Sequence, residues 1–439
     1  MLISPMGYPM NKAQVTGPAL LRQVPALALL GLLIWRVLLD TIYVTFISPS
    51  WRYAGLTCSY DMGRCALAWV VFLMTLPSLA NMIARKTPSD LGMVLLYLVS
   101  FMPGLTVVSY AELEQGFQLA FYVFWIGFIA ANAVFPHMHF RSVSKRHGLL
   151  VYGLATGVCS LVILFVWARY AHFRINLSLL NVYDLRADAS EFNMPTILSY
   201  LYAACRGLAP VLLGYSLVRR NSGVILWNTV LTLLLFSIDG VKSVVFSAVV
   251  VIAAFFLVRK TIEPSIFIYC FAALAIFAFM MSFFGFSYVT ETLLRRVAYL
   301  PNYLASAYYE LSVHSGPDYF RQGFLRLFGA KSQYDIPLAQ LVGSTYYIGG
   351  NANTGLLADA VMNLGVVGPL LYPLLLVGLL RIAEACADEL PPFISSSCMI
   401  LLVWHLTNSF FTTALLTHGV FAMFVLTYFL PREPMGTDR

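Results

Sequence analysis

The chain has 439 residues, of which 60% are hydrophobic and 11% charged, and its mean hydropathy is +0.79. A soluble domain carries about 25% charged residues, so a soluble globular protein is excluded, and continuous apolar runs in place of short alternating segments exclude a β-barrel. The net charge of +7 sits in short loops, which is the positive-inside pattern of a membrane protein and not a nucleic-acid patch.

The remaining class is all-α: a polytopic helical membrane protein forming one integral membrane domain. About twelve spans are expected, at 25–47, 65–84, 91–109, 116–135, 149–167, 195–217, 223–238, 243–258, 265–286, 356–380, 393–411 and 413–430. Lys12 and Arg22 precede an apolar run that is too long for a signal peptide and lacks an A-x-A site, so it reads as a retained first span. Alternate loops hold Arg85–Lys86, Arg141 with Lys145 and Arg146, Arg219–Arg220, Arg259–Lys260, Arg381, and Arg432 with Arg439. The loop at 110–115 holds Glu112 and Glu114 and no base. That bias predicts both termini inside, with the long loops 168–194 and 287–355 outside. No internal repeat is visible, which weighs against a transporter of inverted halves. The seven cysteines show no CxxC or metal spacing. Cys58 and Cys65 flank one outer loop and could pair in an oxidising compartment.

The large loop before span ten is the one long polar interval. Leu, Phe and Tyr recur there at three- and four-residue steps over Leu293–Leu311 and Tyr319–Phe328, which predicts two short amphipathic helices at the membrane surface above a cavity. Spans seven and eight are about 16 residues each, shorter than the roughly 20 a bilayer requires. Their joint, Ser237–Ser243, is therefore expected below the surface, where irregular backbone survives only if it lines a cavity or is buried in protein. Within 393–430, Thr412–Thr413 leaves almost no loop, and Asn408 and His418 flank the turn.

Several polar residues could carry chemistry. Arg206 is mid-span and must be paired, with Asp239 or Asp40, or must face a polar cavity where it binds phosphate or sugar. Arg36 and Asp40, one turn apart, can satisfy each other. Lys242 and Asp239 either bridge or present a cation and a carboxylate to substrate. Arg295–Arg296 reads as a lipid-headgroup anchor or a pyrophosphate clamp, because guanidinium donates bidentate hydrogen bonds to phosphate. Loop 168–194, with Tyr183 and Arg186, alternates in charge as a solvated ion-paired loop does. His314 and the loop tyrosines fit carbohydrate stacking or an aromatic belt. Asn351, Asn353 and Asp359 mark the return to the membrane, where Asp359 also suits a helix start. There is no Walker loop, HExxH, GxSxG or DxD motif, so neither a cofactor nor a metal is expected.

From about 180 to 370 the chain resembles the Wzy-type polymerases of bacterial O-antigen, capsule and exopolysaccharide repeat units. The resemblance is carried by Tyr183-x-x-Arg186, by Asp239-Gly-Val-Lys242-Ser243, by Arg295-Arg296-Val-Ala-Tyr-Leu-Pro301 followed by Tyr308-Tyr309, and by Asn351-Ala-Asn353-Thr-Gly355 leading to Asn363-Leu-Gly365. The family's hairpin more often carries Arg where Lys242 stands. The resemblance implies a metal-independent glycosyltransferase of the inner membrane that polymerises undecaprenyl-pyrophosphate-linked oligosaccharide on its periplasmic side. It also implies membrane lipid, a chain-length regulator and a flippase as partners. Arg186, Arg206, Lys242, Arg295 and Arg296 would hold the pyrophosphate, with Tyr183, Asn351 and Asn353 binding substrate. Asp239, Asp359 or His314 would supply the base. An O-antigen ligase shares this architecture and donor; a flippase of lipid-linked oligosaccharide and a structural assembly partner are weaker rivals.

Overall fold

A computed structural model describes residues 26–178, 181–258, 263–346 and 350–432. Lys12, Arg22, Arg259, Lys260 and Arg439, used in the topology argument, lie outside the described residues. In chain order the helices are α1 Ala26–Ala54, α2 Met62–Arg85, α3 Pro88–Tyr110, α4 Gln115–Val134, α5 Lys145–Arg169, the short α6 Val182–Ser190, α7 Thr196–Arg219, α8 Ser222–Asp239, α9 Lys242–Leu257, α10 Pro264–Phe283, α11 (Thr290–Tyr299 continuing as Leu300–Ser315), α12 Leu338–Tyr346, α13 Leu357–Cys386, α14 Pro392–Asn408, α15 Phe411–Leu416 and α16 Val420–Phe429. No strand occurs among the described residues. Nine of these helices, α1 to α5, α7, α8, α10 and α13, are long and apolar enough to cross a membrane. The chain is a multi-pass helical membrane protein. The other three expected spans are shorter: α9, α14, and the broken pair α15–α16.

Helix starts follow local chemistry. Asp61 accepts from Arg64 N at 2.7 Å and Thr87 from Asp90 N at 3.2 Å, with Pro88 as the first residue of α3. Such caps satisfy donors that the helix itself leaves free. α3 is central, with 94% of its most apolar stretch buried. Around it α1 packs on α10, α4 on α13, and α7 on α5, α8, α9 and α16. Phe101, Phe121, Phe124 and Trp125 form an aromatic core between α3 and α4. The two long loops fall at one end of this bundle, the loop end. There Arg295 meets Trp51, Tyr309 meets Gly116, and Leu185 meets Gly240.

Three expectations are corrected. Leu293–Leu311 does not lie on the surface as a short helix. It belongs to α11, which packs into the bundle and buries Leu294, Tyr299, Leu304 and Tyr308. Its apolar face is broad enough to reach α1, where the Tyr299 hydroxyl donates to Leu39 O at 2.8 Å. Tyr319–Phe328 is not an amphipathic helix either: Gly316, Gly323 and Gly329 break it into turns and one 3-10 segment, Phe324–Phe328. Arg381 is not in a loop but inside α13, completely buried. It donates to Ser89 Oγ, to Asn132 Oδ1 at 2.8 Å and to Glu384 at 3.4 Å, and His137 Nδ1 lies 2.8 Å from the same Glu384 oxygen. The network matches the charge that a lone interior cation would leave exposed to lipid. Cys58 and Cys65 are both free thiols.

Candidate functional site

The predicted cations do not converge. Arg206 Nη2 donates to Asp239 Oδ2 at 2.5 Å, Tyr202 donates to the same oxygen at 3.0 Å, and Val241 N donates to Oδ1 at 3.0 Å. Asp239 is 5% exposed and fully engaged. Its ion-pair partner is therefore Arg206 and not Lys242, which is exposed at the start of α9. Arg36 is completely buried and bonded to Asp40 and Thr106, the one-turn pair that the spacing suggested. Arg295 and Arg296 part company: the Arg295 guanidinium is buried 3.6 Å from the Trp51 ring centroid, and Arg296 is exposed. Such a stack suits guanidinium over an aromatic face. Tyr183 and Arg186 are exposed on α6, which covers the α8–α9 turn through Leu185. Nearby Arg174 pairs with Asp188.

Asp359 is buried beneath the loop. Asn363 Nδ2 donates to its Oδ1 at 2.5 Å, and the Tyr372 hydroxyl (2.7 Å) and Phe411 N (2.5 Å) donate to its Oδ2. Asn363 Oδ1 in turn accepts from Phe320 N at 2.7 Å, and Met362 O accepts from Asp318 N at 2.7 Å. Asp318 also accepts from Gln322 N and Ser332 Oγ. This chain of bonds ties the start of α13 to the 318–338 loop on one side and to α15 on the other.

Between those elements lies a polar cavity of about 680 Å³. Arg321, Arg326 and Lys331 line one wall, and Asn353, Asn408, Ser409 and Thr413 line the other. The three cations have no ion-pair partner among the described residues; Arg321 lies 5.8 Å from the Tyr319 ring. Tyr308 and Tyr334 contribute to the apolar part of the lining, with Ile336, Leu338 and Phe410. Burial pushes both phenols above their usual range, so each keeps its proton and donates to backbone: Tyr308 to Ala352 O at 3.0 Å, Tyr334 to Gly316 O. Next to the lining residue Thr354, Gly355 lets the chain approach α14 closely, because a Cβ there would lie 2.0 Å from Leu406 O and 2.4 Å from Ser409 O.

Of the predicted site residues, only Asn353 lines this cavity; Asn351 is exposed beside it, and Asp359 supports it from below. His314 is exposed on α11, its Nδ1 2.9 Å from Glu310 O. With Glu114 and Glu310 it forms a group, among the described residues, whose ligand atoms lie within 4.8 Å of one another and could hold a cation. Sequence reasoning passed over Arg321, Arg326 and Lys331, and named Asn408 only as flanking a turn. Their signal was the run of bases at 321–331 in the loop and the polar pairs Asn408–Ser409 and Thr412–Thr413 inside an apolar stretch. Compared with known proteins, the chain matches no family model, no curated protein and no solved structure.

Proposed function

We propose that the chain is a polysaccharide polymerase. It joins undecaprenyl-pyrophosphate-linked oligosaccharide repeat units into O-antigen, capsule or exopolysaccharide at the periplasmic face of the bacterial inner membrane, with both termini in the cytoplasm. The observation that carries this reading is the polar cavity at the loop end, whose wall presents Arg321, Arg326 and Lys331, without an ion-pair partner among the described residues, beside Asn353 and Asn408. In the transfer the acceptor hydroxyl oxygen forms a bond to the anomeric carbon of the growing glycan, and the bond to the pyrophosphate oxygen breaks. The departing pyrophosphate gains negative charge, and fixed cations aimed at developing charge lower such a barrier. Guanidinium forks suit that group. Amide side chains and tyrosine faces suit the sugar. Arg206 and Arg36, already matched by carboxylates, hold the helices together in this scheme.

The test is glycan laddering in a deletion strain complemented with wild type, Arg321→Ala or Arg326→Ala at equal protein level. The deletion is expected to leave one repeat unit on its acceptor, and wild type to restore the ladder. The variants are expected to restore it poorly or not at all. Loss of all surface glycan from the deletion strain, with accumulation of lipid-linked units, would sink the polymerase reading in favour of ligation or flipping.

A further inference from the structure

A glycosyl transfer of this kind needs a group to take the acceptor's proton, and the carboxylates that the sequence offered are spent. Asp239 accepts three hydrogen bonds, Asp359 accepts three, and His314 is not among the residues lining the cavity. A different pair stands at the cavity wall. α14 ends at Asn408, α15 starts at Phe411, and the chain breaks again before α16 at Val420. The two breaks bring Ser409 back to His418, and Ser409 Oγ and His418 Nε2 share a hydrogen bond of 2.8 Å. Ser409 lines the cavity. His418 lies behind it, in a narrow cleft that Arg206 and His405 also line, with its ring stacked on His405 at 4.8 Å between centroids.

The placement is held by backbone. Gly419 has φ +74°, and a Cβ on Gly207 would stand 1.9 Å from Gly419 O, so the break is pressed directly against α7. Irregular backbone at such a depth is tolerated where it lines a cavity or is buried in protein. The titratable or charged groups facing His418 are His405 from α14, and Arg206 from α7 with its partner Asp239 from α8.

We propose that Ser409 and His418 form a proton relay for the cavity. This rests on the polymerase reading above. The acceptor hydroxyl gives its proton to Ser409 Oγ while the Ser409 proton passes to His418 Nε2, in the tautomer that leaves Nε2 free to accept. The acceptor oxygen bonds to the anomeric carbon as the carbon–oxygen bond to pyrophosphate breaks, and the electron pair leaves on the pyrophosphate. The proton on His418 then returns through Ser409 to the released pyrophosphate or to water. A purely structural Ser–His bond would satisfy two polar groups without concerning the pH-rate profile. Asp335, exposed on the cavity rim, is the rival proton acceptor.

The experiment uses purified full-length protein in vesicles, with undecaprenyl-pyrophosphate-linked repeat units extracted from the deletion strain. Wild type is expected to polymerise, with a rate that falls on the acid side as the imidazole is protonated. His418→Gln is expected to lose about 100-fold in kcat, the low end for a lost general base, with KM little changed and the acid limb gone. Ser409→Ala should behave alike, and Ser409→Thr, which keeps a hydroxyl, should recover most of the rate. If His418→Gln fails to fold, the Ala and Thr variants at 409 carry the test. An inactive wild type overturns both the polymerase reading and the relay. An active wild type with a His418→Gln variant that keeps its rate and acid limb overturns the relay alone. So does an acid limb that disappears in Asp335→Asn.

Discussion

At the end of the bundle away from the large loop, Arg381 is completely buried and shares Ser89, Asn132, His137 and Glu384 as partners. At the loop end, Arg321, Arg326 and Lys331 line a cavity of about 680 Å³, and no carboxylate is paired to them among the described residues. The chain thus keeps two populations of cation. In an apolar surrounding an unmatched charge is too costly to persist, so Arg36, Arg206 and Arg381 are each tied to a carboxylate, while Arg295 lies over the Trp51 ring. On the wall of an open polar cavity, where Arg326 and Lys331 are exposed, solvent screens the charge and the side chain stays available to a ligand. Pairing, more than depth in the sequence of spans, separates structural cations from candidates for binding.

The largest expected effect tests the first population. Arg381→Ala removes the buried cation that Glu384, Asn132 and Ser89 share, leaving Glu384 with Ser89 and His137 as partners. Breaking a buried pair by removing one partner costs about 3–5 kcal/mol. Thermal unfolding in detergent should show a large fall in melting temperature and reduced monodispersity. An unchanged melting curve would break the comparison, since Arg381 would then be as dispensable as a surface base.

A smaller effect is expected at Arg206 and Asp239, where a double-mutant cycle sharpens the distinction. Arg206→Ala strands a carboxylate that still accepts from Tyr202 and Val241 N, so part of its stabilisation survives. Arg206→Ala with Asp239→Asn should be less destabilised than the sum of the single variants, with a coupling of about 0.5–3 kcal/mol for groups in one network. Additive effects would show that Arg206 is not committed to Asp239 and would return it to the list of ligand-binding residues.

The contrast explains what could be read from the chain before its fold. The spans were legible because each is a continuous apolar run, and Arg36–Asp40 was legible because four residues is one helical turn. Arg206 and Asp239 are 33 positions apart. Their pairing was one of several open readings, and only the crossing of α7 and α8 decides it. A cavity under the large loop was expected, but apart from Asn353 its lining was not legible. Its wall joins 318–339, 352–354, 363 and 408–413, segments that no periodicity relates. What connects them is the set of bonds through Asp318, Asn363 and Asp359. Asp359 could be singled out as a polar residue near a helix start. That it would be buried and triply bonded depends on α15 arriving over it. Tyr319–Phe328 misled for a related reason: its apolar spacing is helical, but Gly323 and the positive φ of Tyr319 and Phe320 turn the chain around Asp318 instead.

The smallest effect on stability is expected where the effect on function is greatest. Arg326 and Lys331 are exposed on the cavity wall. Substitutions of surface residues away from special features usually fall within about 0.5 kcal/mol. Arg326→Ala and Lys331→Ala should therefore melt with wild type. If the cations hold the leaving group, the same variants should bind inorganic pyrophosphate more weakly than the purified wild-type protein does. The wild-type affinity should itself fall as salt is raised, because exposed charges are screened over about 10 Å at 0.1 M. The comparison between the two populations requires both halves of this result. Variants that lose stability together with pyrophosphate binding would place Arg326 and Lys331 with Arg381 as structural cations. Variants that keep both would leave the cavity without a role for its charge. Only unchanged melting with weakened, salt-sensitive binding fits a site held open by the buried network and left unpaired for an anionic ligand.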